Sequence, residues 1–295
     1  MQWSANTLRE AASVLSLWLR GNQVSKHYDV LSTHNTLREK SLYLNVGYWD
    51  GARTCDDACR RLAEMLGEAA RMSSADEVVD CGFGFADQDF YWLERFKPKR
   101  ITGLNITASQ VVQAKCRAAE RGLSPERLDL REGSATAMAL PDACADLVTA
   151  LESAFHFDTR EAFFREAYRV LRPGGRLVTA DIIPGVETAG ALNAAVRGWL
   201  NQHSWQSPAA NYYNRFEYAR KLAASGFSPV RVDSIRDKVH PQFSEFARRR
   251  LREPEVKARM NPFIRIFWNV YINEMVSPSG PDYVLSVSMK PNEKM

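Results

Sequence analysis

The chain has 295 residues, 45% hydrophobic and 25% charged, with 39 Lys+Arg against 35 Asp+Glu for a net charge of +4. That balance excludes collagen-like, disulfide-dense and disordered classes, and so small a charge gives no reason to place nucleic acid among the partners. Cys55, Cys59, Cys81, Cys116 and Cys144 are an odd number without framework spacing, which predicts reduced thiols in a cytoplasmic setting.

In chain order, residues 1–20 read as an amphipathic helix rather than a leader, because Arg9, Glu10 and Arg20 interrupt the apolar residues. No stretch reaches the ~18 apolar residues of a membrane span. Residues 57–71 place Ala58, Leu62, Met65, Leu66 and Ala69 on one helical face, and Thr54 with Asp57 can form a capping box. Short β-branched or apolar runs follow at 77–80, 100–104, 128–131, 146–151 and 176–180, separated by helical patterns, which is how a doubly wound parallel sheet is written. Before the last of them, Phe164, Ala167, Tyr168 and Leu171 share a helix face, and Pro173 followed by Gly174 and Gly175 stops that helix. Beyond Pro184 come helical stretches, a strand at 229–235, further helices over 243–275 and a final strand at 283–289.

Without repeats or a clear linker, the expected organisation is a single domain over 1–295. It comprises an N-terminal helical cap (1–56), a ligand-binding core (57–184), helical lid additions (185–225 and 243–278) and the last strands (226–242 and 279–295).

The most informative stretch is 78–86, a strand ending in Asp80 and followed by Gly82 and Gly84. Glycines there are either a plain turn or a place where backbone approaches a ligand at the carboxyl edge of a sheet. A dinucleotide would need a small residue at the third fingerprint position, where this chain has Asp87, an anion that a pyrophosphate would disfavour. Asp80 instead suits a ligand carrying an ammonium group.

Four stretches in order, Asp80-Cys-Gly-Phe-Gly84, Thr102-Gly-Leu-Asn-Ile-Thr-Ala-Ser-Gln110, Ala150-Leu-Glu-Ser-Ala-Phe-His156 and Arg169-Val-Leu-Arg-Pro-Gly-Gly175, make the chain resemble the class I S-adenosylmethionine-dependent small-molecule methyltransferases. It is similar to the group holding the sterol, tocopherol and macrolide-sugar enzymes, over roughly residues 28–235. The resemblance implies a Rossmann-like α/β fold, mostly parallel with an antiparallel last strand, and S-adenosylmethionine as cofactor. It implies that Asp80, Gly82 and Gly84 meet the methionine part, that Asn105 and Gln110 replace the usual ribose-binding carboxylate, and that Ser134 and Ala135 lie at the adenine, with Thr136 as the register alternative. Tyr28 and Trp49 resemble aromatic elements that close over the cofactor, where ring faces attract a sulfonium.

Methyl transfer to a hydroxyl needs alignment and a base. Glu152 (also a cofactor contact) and His156 follow the fourth strand, where ligands bind, and Asp181 ends the fifth as a group that orients base or acceptor. His156 and Glu152 have structural alternatives as packing and backbone-binding residues. Trp199, His203, Trp205, Tyr212, Tyr213, Phe263, Phe267, Trp268 and Tyr271 suit an apolar or planar acceptor. The basic run Arg248 to Arg250, with Arg252, Lys257 and Arg259, reads first as a solvated face and second as attraction for an anionic acceptor. The function expected is methylation, with oxygen favoured, of a small hydrophobic or aromatic natural product by a metal-independent enzyme, a homodimer being possible. The alternative is carbon methylation of an isoprenoid, lipid or prenyl-phosphate acceptor.

Overall fold

A computed structural model describes residues 24–26, 37–185 and 206–292. Seven strands form one sheet: β1 (Glu77–Cys81), β2 (Arg100–Asn105), β3 (Leu128–Glu132), β4 (Ala145–Leu151), β5 (Leu171–Ile183), β6 (Val230–Ser234) and β7 (Asp282–Met289), in the order β3-β2-β1-β4-β5-β7-β6. The first five pair in parallel, and β7 runs antiparallel between β5 and β6. Between β1 and β4 the strand order reverses, which opens a crevice at their carboxyl ends.

Strand periodicity distributes the core. Val78 faces one apolar layer and Val79 the other, as do Tyr283 and Val284 on β7. The first layer is covered by α1 (Cys55–Ala69), α2 (Asp87–Arg95) and α3 (Ala108–Glu120), and by α6 (His240–Arg250), α7 (Pro254–Arg259) and α8 (Pro262–Met275). The second is covered by α4 (Arg160–Val170) and α5 (Arg215–Ala224). In α1, Thr54 Oγ1 accepts from Asp57 N at 3.1 Å while Cys55, Ala58, Cys59, Leu62 and Leu66 form a fully buried stripe. The cap contributes about 1 kcal/mol and each buried leucine about 2, so the stripe, with both cysteines in it, docks the helix.

Two expectations need correction. Residues 37–54 contain no helix where a helical cap was expected. Backbone N–H groups that a helix would use internally donate instead to carboxylates: Lys40 and Ser41 to Asp56, and Leu42 to Asp87. In addition, β5 pairs with β4 already at Leu171, with a register break before Arg176 that takes up the Pro-Gly-Gly turn. Tyr28, Trp199, His203 and Trp205, with most of 1–36, the stretch 186–205 and the Phe267 side chain, lie outside the described residues.

Candidate active site

A cleft of about 680 Å³ opens over the carboxyl ends of β1, β2 and β4. Gly82 has φ +86°, and a Cβ there would stand 2.4 Å from the Cβ of Ser153, whose hydroxyl donates to Cys81 O at 2.6 Å. Gly84 has φ +58°, and its Cβ would meet Leu44 at 2.9 Å. Each glycine therefore lets the β1 turn lie against a neighbouring segment at a conformation that L side chains rarely adopt.

Asp80 is wholly buried beneath this turn and does not line the cleft. Its carboxylate accepts from Thr149 Oγ1 at 2.8 Å and from Gln88 Nε2 at 3.1 Å, and Gln88 is the lining residue. Burial pushes Asp80 up to about 6, and burial next to Asp80 pushes Asp89 well above the carboxylate range. Sequence reasoning missed Gln88, although its place in the first turn of the helix after the glycines was a usable signal.

At the end of β2, Asn105 Nδ2 donates to Gln110 Oε1 at 2.8 Å, and Thr107 N donates to Asn105 Oδ1 at 3.4 Å. Gln110 Nε2 is buried without a partner. A buried donor left unmade costs about 1–3 kcal/mol, and this one belongs to a residue that lines the cleft. Next to it Ile106 lines the cleft, 46% exposed, and presents an apolar face. Gly133 and Ala135 also line the cleft, whereas the Ser134 hydroxyl turns to Thr136 Oγ1 at 2.9 Å.

Leu42, Leu44 and Asn45 supply another wall. Arg38 fixes this strip by donating to Tyr43 O at 2.8 Å and to Asn45 O, and Asn45 Oδ1 accepts from Gly47 N at 3.0 Å. Asn45 Nδ2 is buried and unpartnered, a second spare donor that sequence reasoning missed. Trp49 lies outside the cleft: its Nε1 donates to Val46 O at 2.9 Å and its ring packs 5.4 Å from that of Phe246, so it anchors the strip from behind.

Glu152 lines the cleft immediately after β4, at φ +49°. That left-handed conformation costs a non-glycine residue about 1–3 kcal/mol. Its Oε1 accepts from Val46 N at 2.7 Å and from Tyr283 Oη at 2.6 Å. Burial pushes its pKa up to about 7, opposed by those two hydrogen bonds and by Arg38, and assisted by Asp181. His156 lines the same cleft, its ring 3.9 Å from that of Phe155 and its Nδ1 3.5 Å from Gln206 O.

Asp181 reaches neither ligand space. It is buried in an ion pair with Arg160 at 2.7 Å and accepts from Phe155 N at 3.1 Å. Burial pushes its pKa upward against the pull of Arg160. On the far side of Phe155 a second cavity of about 520 Å³ is lined by Arg160, Ile182, Tyr212, Tyr271 and Glu274 among others. Of the expected acceptor aromatics, Tyr212 and Tyr271 line it, Trp268 packs partly buried against the core, and Phe263 is 48% exposed. In the basic run, Arg250 is buried on Glu253, Glu255 and Leu37 O, and Arg248 donates to Asn273.

The fold and its residues agree with comparisons to known proteins. The methyltransferase domain model matches residues 79–179. Erythromycin 3″-O-methyltransferase of Saccharopolyspora erythraea is 36% identical over 278 residues, covering 90% of this chain and 89% of that protein. The 27-O-demethylrifamycin SV methyltransferase of Amycolatopsis mediterranei is 28% identical over 77% of this chain and 82% of its own. Among solved structures, the (4+2)-cyclase SpnF superposes with TM-score 0.72 at 22% identity, covering 92% of this chain and 96% of that one, a likeness of fold. With the glycine turn, the Asn105 and Gln110 pair and the carboxylate after β4 in place, the chain belongs to the class I S-adenosylmethionine-dependent methyltransferases.

Proposed function

We propose that the enzyme methylates a hydroxyl oxygen of a macrolide-like natural product, with Glu152 as the base. The observation that supports this most is the placement of Glu152: a strained, cleft-lining carboxylate whose pKa of about 7 suits proton removal near neutrality. The erythromycin and rifamycin enzymes among the relatives favour oxygen and a large polyketide acceptor.

The cofactor reading fits the residues present. Asn105 and Gln110 can donate to and accept from both ribose hydroxyls, Ile106 offers an apolar face to the adenine beside Gly133 and Ala135, and Gln88, backed by Asp80, can accept through its amide oxygen from the methionine ammonium. Ser134 acts here through its backbone position, and Trp49 by anchoring the Leu42 to Val46 strip. S-adenosylmethionine, when bound, supplies an electrophilic methyl group.

Both hydrogen bonds to Glu152 fall on Oε1, which leaves Oε2 to take the acceptor proton. His156 lines the same cleft and, in this reading, orients the hydroxyl. Asp181 positions them by holding Phe155 N, the residue before His156. The acceptor enters from the Phe155 side, where the second cavity provides apolar and aromatic surface. Among the described residues the cleft presents no Lys or Arg, and Arg160 in the second cavity is already committed to Asp181, which disfavours a prenyl diphosphate.

The test is incubation with methyl-labelled S-adenosylmethionine and a panel of hydroxylated macrolides, ansamycins, simple phenols and geranyl diphosphate, read by mass spectrometry. Label on a macrolide hydroxyl is the expected result. Label only on carbon of the isoprenoid would replace this reading with the alternative.

A further inference from the structure

We propose that Phe155 selects the hydroxyl to be methylated: its ring, stacked on that of His156, forms the wall between the second cavity and the cofactor cleft, and only a hydroxyl that projects from the acceptor on a slim group passes it. The inference rests on the reading of the second cavity as the acceptor's side and deepens it by a rule for which hydroxyl is taken.

Among the described residues, the cleft and the second cavity share no lining residue. They come together at consecutive positions of a 3₁₀ turn, Ala154–His156, where Phe155 lines the second cavity and His156 the cleft. The two ring centroids are 3.9 Å apart and the planes 36° from parallel, with the residues 6% and 7% exposed. The wall at this point is thus a pair of stacked rings.

The main chain under the rings is held from both sides. Phe155 N donates to Asp181 Oδ1, on β5, at 3.1 Å. Phe155 O accepts from Ser207 Oγ at 2.9 Å and from Asn211 Nδ2 at 3.1 Å, and the same amide nitrogen reaches Phe157 O at 2.7 Å. His156 N closes the turn on Ser153 O at 3.0 Å. Arg160 fixes two of these partners in turn, with Nε on Asp181 Oδ2 at 2.7 Å and its backbone N on Asn211 Oδ1 at 2.9 Å. A turn tied to β5 and to residues 207–211 at once gives way only by breaking several buried hydrogen bonds, so the width of the passage is set by the side chain at 155.

Methyl transfer requires the acceptor oxygen about 3–3.5 Å from the methyl carbon, in line with the carbon–sulfur bond that breaks as the new carbon–oxygen bond forms. The proton of the hydroxyl passes to Glu152 on the cleft side of the wall, while the bulk of the acceptor stays on the other side. A hydroxyl carried by an appended ring or side chain reaches across with little else. A hydroxyl flanked by branched carbons of the acceptor's own body brings those branches against the Phe155 ring, and such overpacking is costly against a wall held in place. A smaller residue would join the two spaces and remove the discrimination, and it would also take away the ring that packs on the His156 imidazole.

The experiment reads regioselectivity. A glycosylated macrolide with free hydroxyls on its appended sugars and on methyl-branched carbons of its lactone ring is incubated with methyl-labelled S-adenosylmethionine and the wild type, Phe155→Leu or Phe155→Ala, and tandem mass spectrometry locates the label. The wild type should label an appended hydroxyl, with lactone-ring hydroxyls taking less than about 1% of the label, and Phe155→Ala should raise that share by about tenfold or more, the discrimination that a few methylenes in a pocket command. Phe155→Leu should shift it the same way by less, and it carries the test if the alanine variant does not fold. Affinity for S-adenosylhomocysteine, measured by calorimetry, should stay within about twofold in both, because Phe155 does not line the cleft. Label on the lactone ring by the wild type, or an unchanged distribution in both variants whatever the loss of rate, would overturn the assignment and leave Phe155 as a packing residue. A wild type that binds S-adenosylhomocysteine but labels no macrolide would instead overturn the acceptor reading on which it rests.

Discussion

The two ends of the cleft are built by different means. At the β1 and β2 end, Asp80, Gly82, Gly84, Gln88, Asn105 and Gln110 lie close together in the chain, and a spare donor remains for a ligand. At the β4 end, Glu152 draws its partners from 106 and 131 residues away, Val46 and Tyr283, and both bonds fall on one carboxylate oxygen. On the proposed assignment, cofactor recognition is encoded locally, as a turn and two strand ends, while the hydrogen bonds to the proposed base exist only once the antiparallel β7 has been inserted beside β5.

The sharpest way to break this division is Glu152→Gln. The amide can still accept from Val46 N and Tyr283 Oη, so the structure around it is kept while the base is lost. Turnover should fall by about 10²- to 10⁴-fold, the usual contribution of general base catalysis, with affinity for S-adenosylhomocysteine unchanged within about twofold. If His156→Gln costs more than Glu152→Gln, the histidine is the base and the assignment of roles is reversed.

The converse experiment at the other end is Asp80→Asn, which removes the charge behind Gln88 and frees the amide to reorient. Binding of S-adenosylhomocysteine should weaken by about tenfold, as for loss of a charge-assisted hydrogen bond, while the pH profile of the residual activity keeps its shape. Unchanged affinity in calorimetry would remove Asp80 and Gln88 from the cofactor site.

The same division explains what could be read in the sequence. All seven strands were legible: those buried on both faces show as apolar runs, the edge strands β3 and β6 as alternating apolar and charged residues, and turn residues bracket them. The glycine turn, Asn105 and Glu152 stand at strand ends and Gln110 and His156 follow within two turns of them; the family resemblance singled them out, and all of them line one cleft. Trp49 was placed at the cofactor and instead packs on Phe246, because an aromatic residue looks the same in sequence whether it lines a cleft or anchors a loop. Asp181 stands where a catalytic group would, but an ion pair with Arg160, 21 residues earlier, keeps it in the core. Asn45 and Tyr283 carry no local signal at all, because their roles arise from tertiary contact alone.

Tyr283→Phe sharpens the comparison with a smaller effect. The hydroxyl donates to Glu152 Oε1 and so stabilises the ionised carboxylate; without it the pKa of Glu152 rises further above about 7. The acid limb of the kcat/KM profile should move to higher pH by about half to one unit, with little loss at alkaline pH. A uniform drop at every pH would reduce Tyr283 to a packing residue.

The smallest expected effect is on stability, and its sign is opposite to that of an ordinary ion-paired carboxylate. The folded-state pKa of Glu152, about 7, lies above its ordinary value of 4.5. Its contribution is therefore most favourable below pH 4.5 and is lost as pH rises through 7, where folding must accommodate a buried anion. The full shift corresponds to an upper bound of about 3 kcal/mol, and solvent at the cleft mouth reduces it to roughly 1–2. Glu152→Gln should consequently melt a few degrees higher than the wild type at pH 8, with the difference shrinking towards pH 5. His240 supplies an internal control of the other sign. Burial lowers its pKa to about 3, so its cost grows as pH falls below 6.5 and is the same in both proteins. A pH-independent gap between the two melting curves would mean that Glu152 titrates normally and that the strained turn after β4 serves geometry alone.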